Sequence, residues 1–340
     1  MRSAQVATAA SLIAAFLCGA QFSTRADERE IKFPGATVTS DPVNNDNNDL
    51  TGWYIDTNGV QHGYYRVGKT GTLQSFDCPG SIKTSPKKIT EEGKPPAPFV
   101  YGTYVDANGR KHGFKYDVTR NTCSEWQYKK RSTENTGANV KGASIDVYDR
   151  TNEMLALKGL YRKRSGKFVP IVVPDAQQYV IPRDINIKGV VVGSYDGTSG
   201  FMWESSTQTE TNLACDGVPF TLPSAVNDKG VIIGSCGTSL GSPDGFVRSA
   251  AGTYTRFHPK GAVQTSPNGI NVHGAIVGSF QDSANNLHGF LRTPAGTIDT
   301  FDFPGAIWTI PVSINSKGEI VGTYYDAGYN THSFEMSSPP

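Results

Sequence analysis

Short runs of alternating apolar and polar residues, each bounded by turn-forming residues, extend along nearly the whole chain. The clearest is Ile-Val-Gly-Thr-Tyr at residues 320–324, which follows the sequence Asn-Ser-Lys-Gly at residues 315–318. Asn-x-x-Gly, Asp-x-x-Gly and Pro-Gly sequences supply the residues that tight turns need. The pattern therefore predicts short β-strands joined by turns.

The same order of segments recurs every 41 to 50 residues, so the chain is a repeat protein. Each copy has one strand before Asn-x-x-Gly, an Ile-Val-Gly-x-Tyr strand, a Gly-Phe-Leu strand and a strand ending in Phe-Asp-x-Pro-Gly. In the weakest copy we align Asp149 with the asparagine of the turn. A marker residue falls at the equivalent position of seven copies: Gly63, Gly113, Gly159, Gly200, Gly245, Gly289 and Ser333.

Four short strands per repeat at this spacing are typical of a β-propeller blade. The last repeat ends soon after Phe334 without a fourth strand, and such a strand stands at residues 30–35 instead. Pairing the two would remove two open strand edges. We therefore expect an all-β fold, a seven-bladed β-propeller of four-stranded antiparallel blades whose last blade is closed by the N-terminal strand.

The repeat resembles the bacterial extracellular HAF-type repeats over residues 31–336. The signature triplet is His-Gly-Phe at His112 and His288 and His-Gly-Tyr at His62, with Ser-Gly-Phe, Asp-Gly-Phe and His-Ser-Phe elsewhere. The resemblance implies export and a propeller-like fold. It implies no reaction, because a fold does not determine a function.

The first 26 residues have the features of a secretory signal peptide. Arg2 supplies the positive start, residues 6–17 are apolar, and cleavage is expected after Ala20 or Ala26. Residues 27–340 would then form a single β-propeller domain of a secreted protein, extracellular or periplasmic. The 37 glycines and 19% charged residues suit a turn-rich protein, and no apolar run reaches the ~18 residues of a membrane span.

Four cysteines follow the predicted signal peptide, and an even number in an exported chain indicates two disulfides. We favour the pairs Cys78–Cys123 and Cys215–Cys236, which would join neighbouring repeats. No CxxC spacing is present, which argues against a zinc site.

Four histidines (His62, His112, His288 and His332) each lie six residues after an Asp, an arrangement that suggests a metal site. Equivalent positions in separate blades cannot converge on one ion, so we favour a His–Asp hydrogen bond within each hairpin and predict no metal. The repeated asparagines are interpreted as turn formers: Asn45, Asn186, Asn227, Asn271 and Asn315.

Residues 44–49 (Asn-Asn-Asp-Asn-Asn-Asp) resemble an oxygen-rich calcium loop but lack the Gly and the final Glu of an EF-hand. Calcium is the less favoured alternative here, and no cofactor is predicted. The chain has no Walker loop, GxSxG or HExxH motif. Whether the protein is an enzyme is therefore left open.

Charge is unevenly distributed along the chain. The net charge is only +1, but residues 81–167 hold 18 Lys and Arg against 9 Asp and Glu. Residues 27–80 and 168–340 carry excesses of 4 and 6 negative charges. The second and third repeats are therefore predicted to form a basic sector that attracts anionic partners. The alternative is a solvated surface without a site.

The irregular third repeat carries the candidate site residues. The ligand-binding candidates are Lys129, Lys130, Arg131 and Lys141, in or near the loop that leads into this repeat. The catalytic candidates are Tyr148, Asp149 and Arg150. The basic turn at residues 162–167 is expected on the face of the propeller away from the catalytic candidates.

Two functions fit these residues. The first is a secreted protein that binds an acidic polysaccharide or a surface partner through the basic sector. The alternative is a polysaccharide-degrading enzyme of the uronate lyase type. In a lyase, Lys141 or Arg150 would neutralise the uronate and Tyr148 would move protons, with Asp149 as orienter. No nucleic-acid partner is expected, and a monomer is expected.

Overall fold

The structure, a computed structural model, describes residues 28–149, 157–215, 217–239 and 241–337. The predicted signal peptide lies outside these residues. The regular elements within them are 28 β-strands, and these parts of the chain contain no helix. No helix that could cross a membrane occurs in the described residues.

The strands of the first half of the chain are β1 (Arg29–Ile31), β2 (Val38–Asn44), β3 (Leu50–Ile55), β4 (Gln61–Arg66), β5 (Gln74–Phe76), β6 (Ser81–Glu92), β7 (Ala97–Asp106), β8 (Lys111–Asp117), β9 (Thr122–Trp126), β10 (Thr133–Ala138), β11 (Ser144–Asp149), β12 (Leu157–Arg162) and β13 (Phe168–Pro170). Those of the second half are β14 (Val180–Ile185), β15 (Val190–Tyr195), β16 (Ser199–Glu204), β17 (Thr209–Leu213), β18 (Phe220–Val226), β19 (Ile232–Gly237), β20 (Asp244–Arg248), β21 (Tyr254–Phe257), β22 (Gln264–Ile270), β23 (Ile276–Gln281), β24 (Leu287–Arg292), β25 (Ile298–Phe301), β26 (Trp308–Ile314), β27 (Glu319–Tyr325) and β28 (Thr331–Ser337).

Consecutive strands pair antiparallel in sets of four, which we call units one to seven. Unit one is β2–β5, unit two β6–β9, unit three β10–β13, unit four β14–β17, unit five β18–β21 and unit six β22–β25. Unit seven consists of β26–β28 with β1, which pairs antiparallel with β28. The first strand of each unit, β26 in unit seven, is called its inner strand.

The prediction of a single closed seven-bladed propeller with separate four-stranded blades is wrong. The 28 strands form five sheets, two with eight strands and three with four. Parallel bridges between Gln61 and Lys83 and between Leu287 and Trp308 fuse unit one with unit two and unit six with unit seven. The repeat pattern locates the strands, but it carries no information about hydrogen bonds between consecutive units.

Units one and seven lie side by side. Arg66 on β4 forms two hydrogen bonds to the Glu335 carboxylate on β28, at 2.6 and 2.8 Å, and Arg29 on β1 also donates to Glu335. Both Arg66 and Glu335 are buried. A charge-assisted bidentate pair of this kind fixes geometry as well as adding energy.

The sequence alignment of the third repeat was wrong by about one strand. Asn139 starts the turn between β10 and β11, and its Oδ1 accepts the backbone N–H groups of Lys141 and Ala143. This position belongs to the repeated asparagine, whereas Asp149 ends β11. Lys141 therefore lies in the Asn turn and outside the loop that leads into the unit.

The core repeats with the sequence. The residue after each marker position is fully buried in all seven units: Tyr64, Phe114, Leu160, Phe201, Phe246, Phe290 and Phe334. In four units the marker must be small because an aromatic ring of the fourth strand covers it, namely Phe76, Trp126, Phe257 or Phe301. A Cβ on Gly245, for example, would come within 2.7 Å of the Phe257 ring. This close approach explains why glycine recurs there.

Both predicted disulfides are present. Cys78 is bonded to Cys123 and Cys215 to Cys236, with Cα atoms 5.5 and 6.3 Å apart. Each bond links the segment after one unit's fourth strand to a strand of the next unit. Disulfides are typical of proteins from oxidising compartments.

Candidate functional site

The inner strands of all seven units line one central cavity of about 320 Å³. Its wall also includes the Asn turns that follow these strands, so the cavity lies in the half of the molecule nearer those turns. We call this side the Asn-turn face and the other side the opposite face. Ligand pockets range from ~300 to 1,000 Å³, so this cavity suits a small group.

Every inner strand contains an irregularity of register at the level of the cavity. A bulge adds one residue to a strand and re-aims its side chain. In six units the extra residue lines the cavity: Lys87, Thr136, Arg183, Ser224, Asn268 and Val312. Because of these bulges, otherwise similar inner strands present a different side chain to the cavity in each of the six units.

The polar uncharged bulge residues are satisfied by backbone groups. Ser224 donates to the carbonyl of Pro267 at 2.6 Å and Asn268 to that of Pro311 at 2.8 Å. Lys87 and Arg183 differ, because they have no hydrogen bond or ion pair to any described residue, and both are exposed to the cavity. The neighbouring Lys88 also lacks an ion pair within the described chain. Lys87, Lys88 and Arg183 are called the cavity cations.

The carboxylates of the cavity wall are engaged by the fold. Asp46 accepts the N–H of Ser316 at 2.7 Å, and Asp228 accepts that of Ile187 at 3.0 Å. Asp184 accepts the N–H of Val226 at 3.0 Å. In each case the acid ties one unit to its neighbour.

Asp184 is the acid nearest in sequence to a cavity cation. Desolvation raises its pKa above the usual value, while the charge of Lys88 and the hydrogen bond from Val226 oppose that rise. Lys88 belongs to unit two and Asp184 to unit four, on either side of unit three. Gly137 contributes no side chain there, and a Cβ on it would lie 3.8 Å from the Arg183 carbonyl.

The Asn turns connect the units around the mouth of the cavity. In each turn, the asparagine Oδ1 accepts two backbone N–H groups of that turn. In five of the turns, the side-chain amide of the same asparagine also donates to the backbone carbonyl of the asparagine in the next Asn turn. These inter-unit bonds are Asn139–Asn186, Asn186–Asn227, Asn227–Asn271, Asn271–Asn315 and Asn315–Asn45, at 2.8 to 3.0 Å. Unit two interrupts the series with the long β6–β7 hairpin.

A basic residue stands two positions after the asparagine in five of these turns. All five side chains are exposed, and none forms an ion pair within the described chain: Lys141, Lys188, Lys229, His273 and Lys317. We call these residues the basic collar, because they stand in the turns at the mouth of the cavity in units three to seven. The repeat itself therefore produces a basic rim on an otherwise nearly neutral protein.

Most of the predicted site residues lie on the opposite face. Tyr148 and Asp149 end β11, and residues 129–131 precede β10, which pairs with it so that Thr133 faces Tyr148. Tyr148 packs on Tyr128 with ring centroids 4.7 Å apart. Arg131 donates to the Asp149 carbonyl at 3.4 Å, and Lys129 and Lys130 are exposed. Arg150 lies outside the described residues.

The structure does not bring Lys141 to these residues. It stands at the other end of the β10–β11 hairpin, next to the cavity residues Asn139 and Val140. Tyr148 and Asp149 do not line the cavity. The arrangement proposed for a uronate lyase, with Lys141 beside Tyr148, is therefore not assembled.

Part of the basic sector serves the fold. The Arg162 guanidinium lies 4.2 Å from the ring centre of Trp126, and Lys115 pairs with the buried Glu92 at 2.7 Å. Trp126 also donates to Asp146, a fully buried carboxylate. Burial raises the pKa of Asp146 to about 6, although hydrogen bonds from Trp126 and other groups oppose the rise.

The repeated histidines each contact two carboxylates. His288 lies 2.9 Å from Asp302 and 3.3 Å from Asp282, and His62, His112 and His332 have equivalent neighbours. Each histidine also packs on the aromatic ring of the adjacent strand. The expected hydrogen bond to the Asp six residues earlier is thus present for His112, His288 and His332. His62 lies 3.6 Å from Asp56 and is hydrogen-bonded to Asp77 instead. No cluster of three metal-binding side chains occurs among the described residues.

The oxygen-rich run at residues 44–49 is used by internal hydrogen bonds. Asn45 Oδ1 accepts the N–H groups of Asn47 and Asp49, and Asn45 donates to the Asp49 carboxylate at 2.8 Å. Asp49 also accepts the N–H of Gly68 at 2.7 Å. The run therefore forms the Asn turn of unit one.

The residues predicted from the sequence include none of the cavity cations and only Lys141 of the collar. A signal for both was present. A proline precedes the bulge in five repeats, so aligning the repeats on Pro86, Pro182, Pro223, Pro267 and Pro311 places Lys87 and Arg183 at one position. Aligning them on the asparagine reveals the collar.

The sequence matches no protein-family model and no curated protein, so the HAF-type resemblance stays a prediction. Solved structures resemble it in fold. A catalytically inactive virginiamycin B lyase from Staphylococcus aureus, solved with quinupristin, has a TM-score of 0.62 at 10% identity, covering 92% of this chain and 99% of that chain. An oligogalacturonate lyase in complex with manganese has a TM-score of 0.65 at 13% identity, covering 93% and 94%.

A streptogramin B lyase gives a TM-score of 0.59 at 10% identity, covering 92% of this chain and 97% of that chain. These neighbours are β-propeller-like proteins, and this chain shares that class of fold. At such low identity the likeness concerns the fold alone, because one fold serves many functions.

Proposed function

We propose that this chain is an exported binding protein that holds an acidic polysaccharide against its Asn-turn face. The basic collar carries the proposal. Its side chains are exposed, have no ion-pair partner in the described chain and stand in the turns at one cavity mouth, in units three to seven. Unpaired cations grouped on one surface create a field that concentrates and orients anions.

The two disulfides support the exported part of the proposal, because such bonds persist in oxidising environments. An extended polyanion suits the collar better than a compact ligand does. Four of the five collar residues are lysines, so the collar repeats its positive charge in units three, four, five and seven, just as an acidic polysaccharide repeats its carboxylates.

Binding can be tested by retention on immobilised polygalacturonate, with a neutral polymer as the control resin. The wild-type protein should be retained at low salt and released by added salt, since exposed charges are screened within ~10 Å at 0.1 M salt. Equal retention on the neutral resin would show that binding does not depend on the charge of the polymer. Failure to bind polygalacturonate and a sulfated polymer alike would overturn the proposal.

The binding face can be tested with matched double variants. Lys188→Gln/Lys229→Gln removes two collar charges, and Lys129→Gln/Lys130→Gln removes two exposed charges from the opposite face. We expect only the collar variant to elute at clearly lower salt. The reverse order would move the site to the opposite face. Monitoring the unsaturated-uronate absorbance band during incubation would reveal lyase activity, which the proposal does not include.

A further inference from the structure

We infer that the cavity contains a subsite for a single oxyanion group, the carboxylate or sulfate of one sugar unit at the end of a chain. The inference rests on the proposed function and assigns the cavity cations a role that the collar cannot fill. Lys87, Lys88 and Arg183 line the cavity behind its mouth, beyond the exposed collar.

The first argument is the contrast at equivalent positions. Six units present a bulge residue to the cavity, and the neutral polar ones form hydrogen bonds to protein backbone groups: Thr136, Ser224 and Asn268. Lys87 and Arg183 have no such partner among the described residues. Two charged side chains that line a cavity and form no ion pair within the described chain are suited to an external anion.

The second argument is their placement. Lys87 and Lys88 come from unit two and Arg183 from unit four, on either side of unit three. Unit three supplies only the small residues Thr136 and Gly137 to this part of the wall. An oxyanion can therefore sit between the cations, where Arg183 can offer two parallel N–H donors.

The third argument is the rest of the wall. The opposing units five to seven contribute Ser224, Asn268 and Ser313 to the lining, together with Asp228, whose carboxylate accepts the N–H of Ile187. Groups of this kind suit the hydroxyls of a sugar. The cavity volume of about 320 Å³ is near the lower limit for ligand pockets, which favours one sugar unit over a threaded chain.

The test is calorimetric titration of the full-length protein with D-glucuronate, a sulfated N-acetylglucosamine and D-glucose. We expect the first or second sugar to bind with a dissociation constant of about 1 mM or tighter, and D-glucose to bind far more weakly. Comparing the dissociation constants of the carboxylated and the sulfated sugar shows which oxyanion the site prefers. Equal binding of all three sugars, or binding of none, would overturn the inference.

Variants separate the subsite from the collar. Arg183→Gln and Lys87→Gln should each weaken binding of the charged sugar about tenfold or more. Arg183→Lys should weaken it less than Arg183→Gln does, because it keeps the charge but loses the two parallel N–H donors. Both side chains are exposed and have no ion pair among the described residues, so folding should be unchanged in thermal melts. Lys188→Gln/Lys229→Gln should lower retention on polygalacturonate but change sugar affinity by less than about twofold.

These readouts distinguish the two proposals. Polymer retention without sugar binding would overturn the subsite and leave the collar function intact. Sugar binding that Arg183→Gln abolishes, without polymer retention, would support the subsite and overturn the polymer function. Sugar binding that survives both Arg183→Gln and Lys87→Gln would place the sugar elsewhere and overturn the subsite.

Discussion

The side-chain amide of Asn186 donates a hydrogen bond to the backbone carbonyl of Asn227, 41 residues later, at 3.0 Å. The Oδ1 of the same asparagine accepts the N–H groups of Lys188 and Val190. One buried side chain thus closes its own turn and holds the next unit. The Asn-x-x-Gly sequence that predicts each turn therefore also marks a hydrogen bond between neighbouring units.

Asn186→Ala should lower the free energy of unfolding by about 2–3 kcal/mol, because it deletes three hydrogen bonds and leaves buried backbone groups without partners. Urea denaturation checks this. Asn108→Ala is the matched control, since Asn108 is exposed in a turn of the opposite face. The control should change stability by less than ~0.5 kcal/mol. Equal effects of the two variants would refute the inter-unit role.

Asp146 makes stability depend on pH. Burial raises its pKa to about 6, from an ordinary ~3.9 in the unfolded chain. The folded state therefore binds the proton more tightly than the unfolded state. The contribution of this group is most favourable below pH ~4 and is lost as the pH rises through about 6, by up to about 3 kcal/mol.

Asp146→Asn should remove this dependence. An Asn can accept from Trp126 and Asn135 and donate to Ser144, so the hydrogen-bond geometry is kept. Relative to wild type, the variant should gain stability between pH 4 and 6 and show little difference below pH ~4. Denaturation curves across that range check the prediction. A difference that does not vary with pH would contradict it.

The charge pair of unit five is a reversed copy of the pair in unit six. Asp244 stands at the position of His288, and His258 at that of Asp302, with Asp244 and His258 3.4 Å apart. His288→Asp should therefore destabilise the protein, and adding Asp302→His should restore part of the loss. The coupling should be about 0.5–1 kcal/mol, since these groups are partly exposed. A double-mutant cycle by urea denaturation measures it, and strict additivity would argue against pairing.

His288 should also make the stability of the fold depend on pH. Burial lowers its pKa, but the hydrogen bonds and charges of Asp302 and Asp282 outweigh this, so the pKa is raised. The stabilisation is therefore complete below the ordinary histidine pKa of ~6.5 and is lost as the pH rises above it. His288→Gln should cost more stability at pH ~5.5 than at pH ~8.5. The opposite trend in denaturation curves would rule out this pairing.

The two disulfides should differ in their contribution. Cys78–Cys123 closes a separation of 45 residues and Cys215–Cys236 one of 21. In the loop-entropy description their removal costs about 4 and 3 kcal/mol respectively. Paired Cys→Ala variants of each bond, compared by thermal and urea unfolding, should show this order. Equal or reversed losses would show that native packing dominates.

The third repeat shows the limits of reading the sequence by pattern. Its strands and marker Gly159 were predicted, but Asp149 was aligned where Asn139 belongs. Asn139 lies in an ordinary Asn-x-x-Gly sequence that was available to the alignment. The irregular and strongly charged segments of this repeat lie at the other end of the unit, so a prediction based on irregularity and charge points to the opposite face.

The sequence alone determined the repeat, the strand segments, the turns, the disulfide pairs and the small marker residues, because each depends on local chemistry or on spacing. Tertiary structure decided which units share a sheet, through single bridges such as Gln61–Lys83. It also decided which charged side chains line the central cavity together. Lys87 and Arg183 lie 96 residues apart, and only the packing of inner strands around one cavity makes them neighbours of unit three.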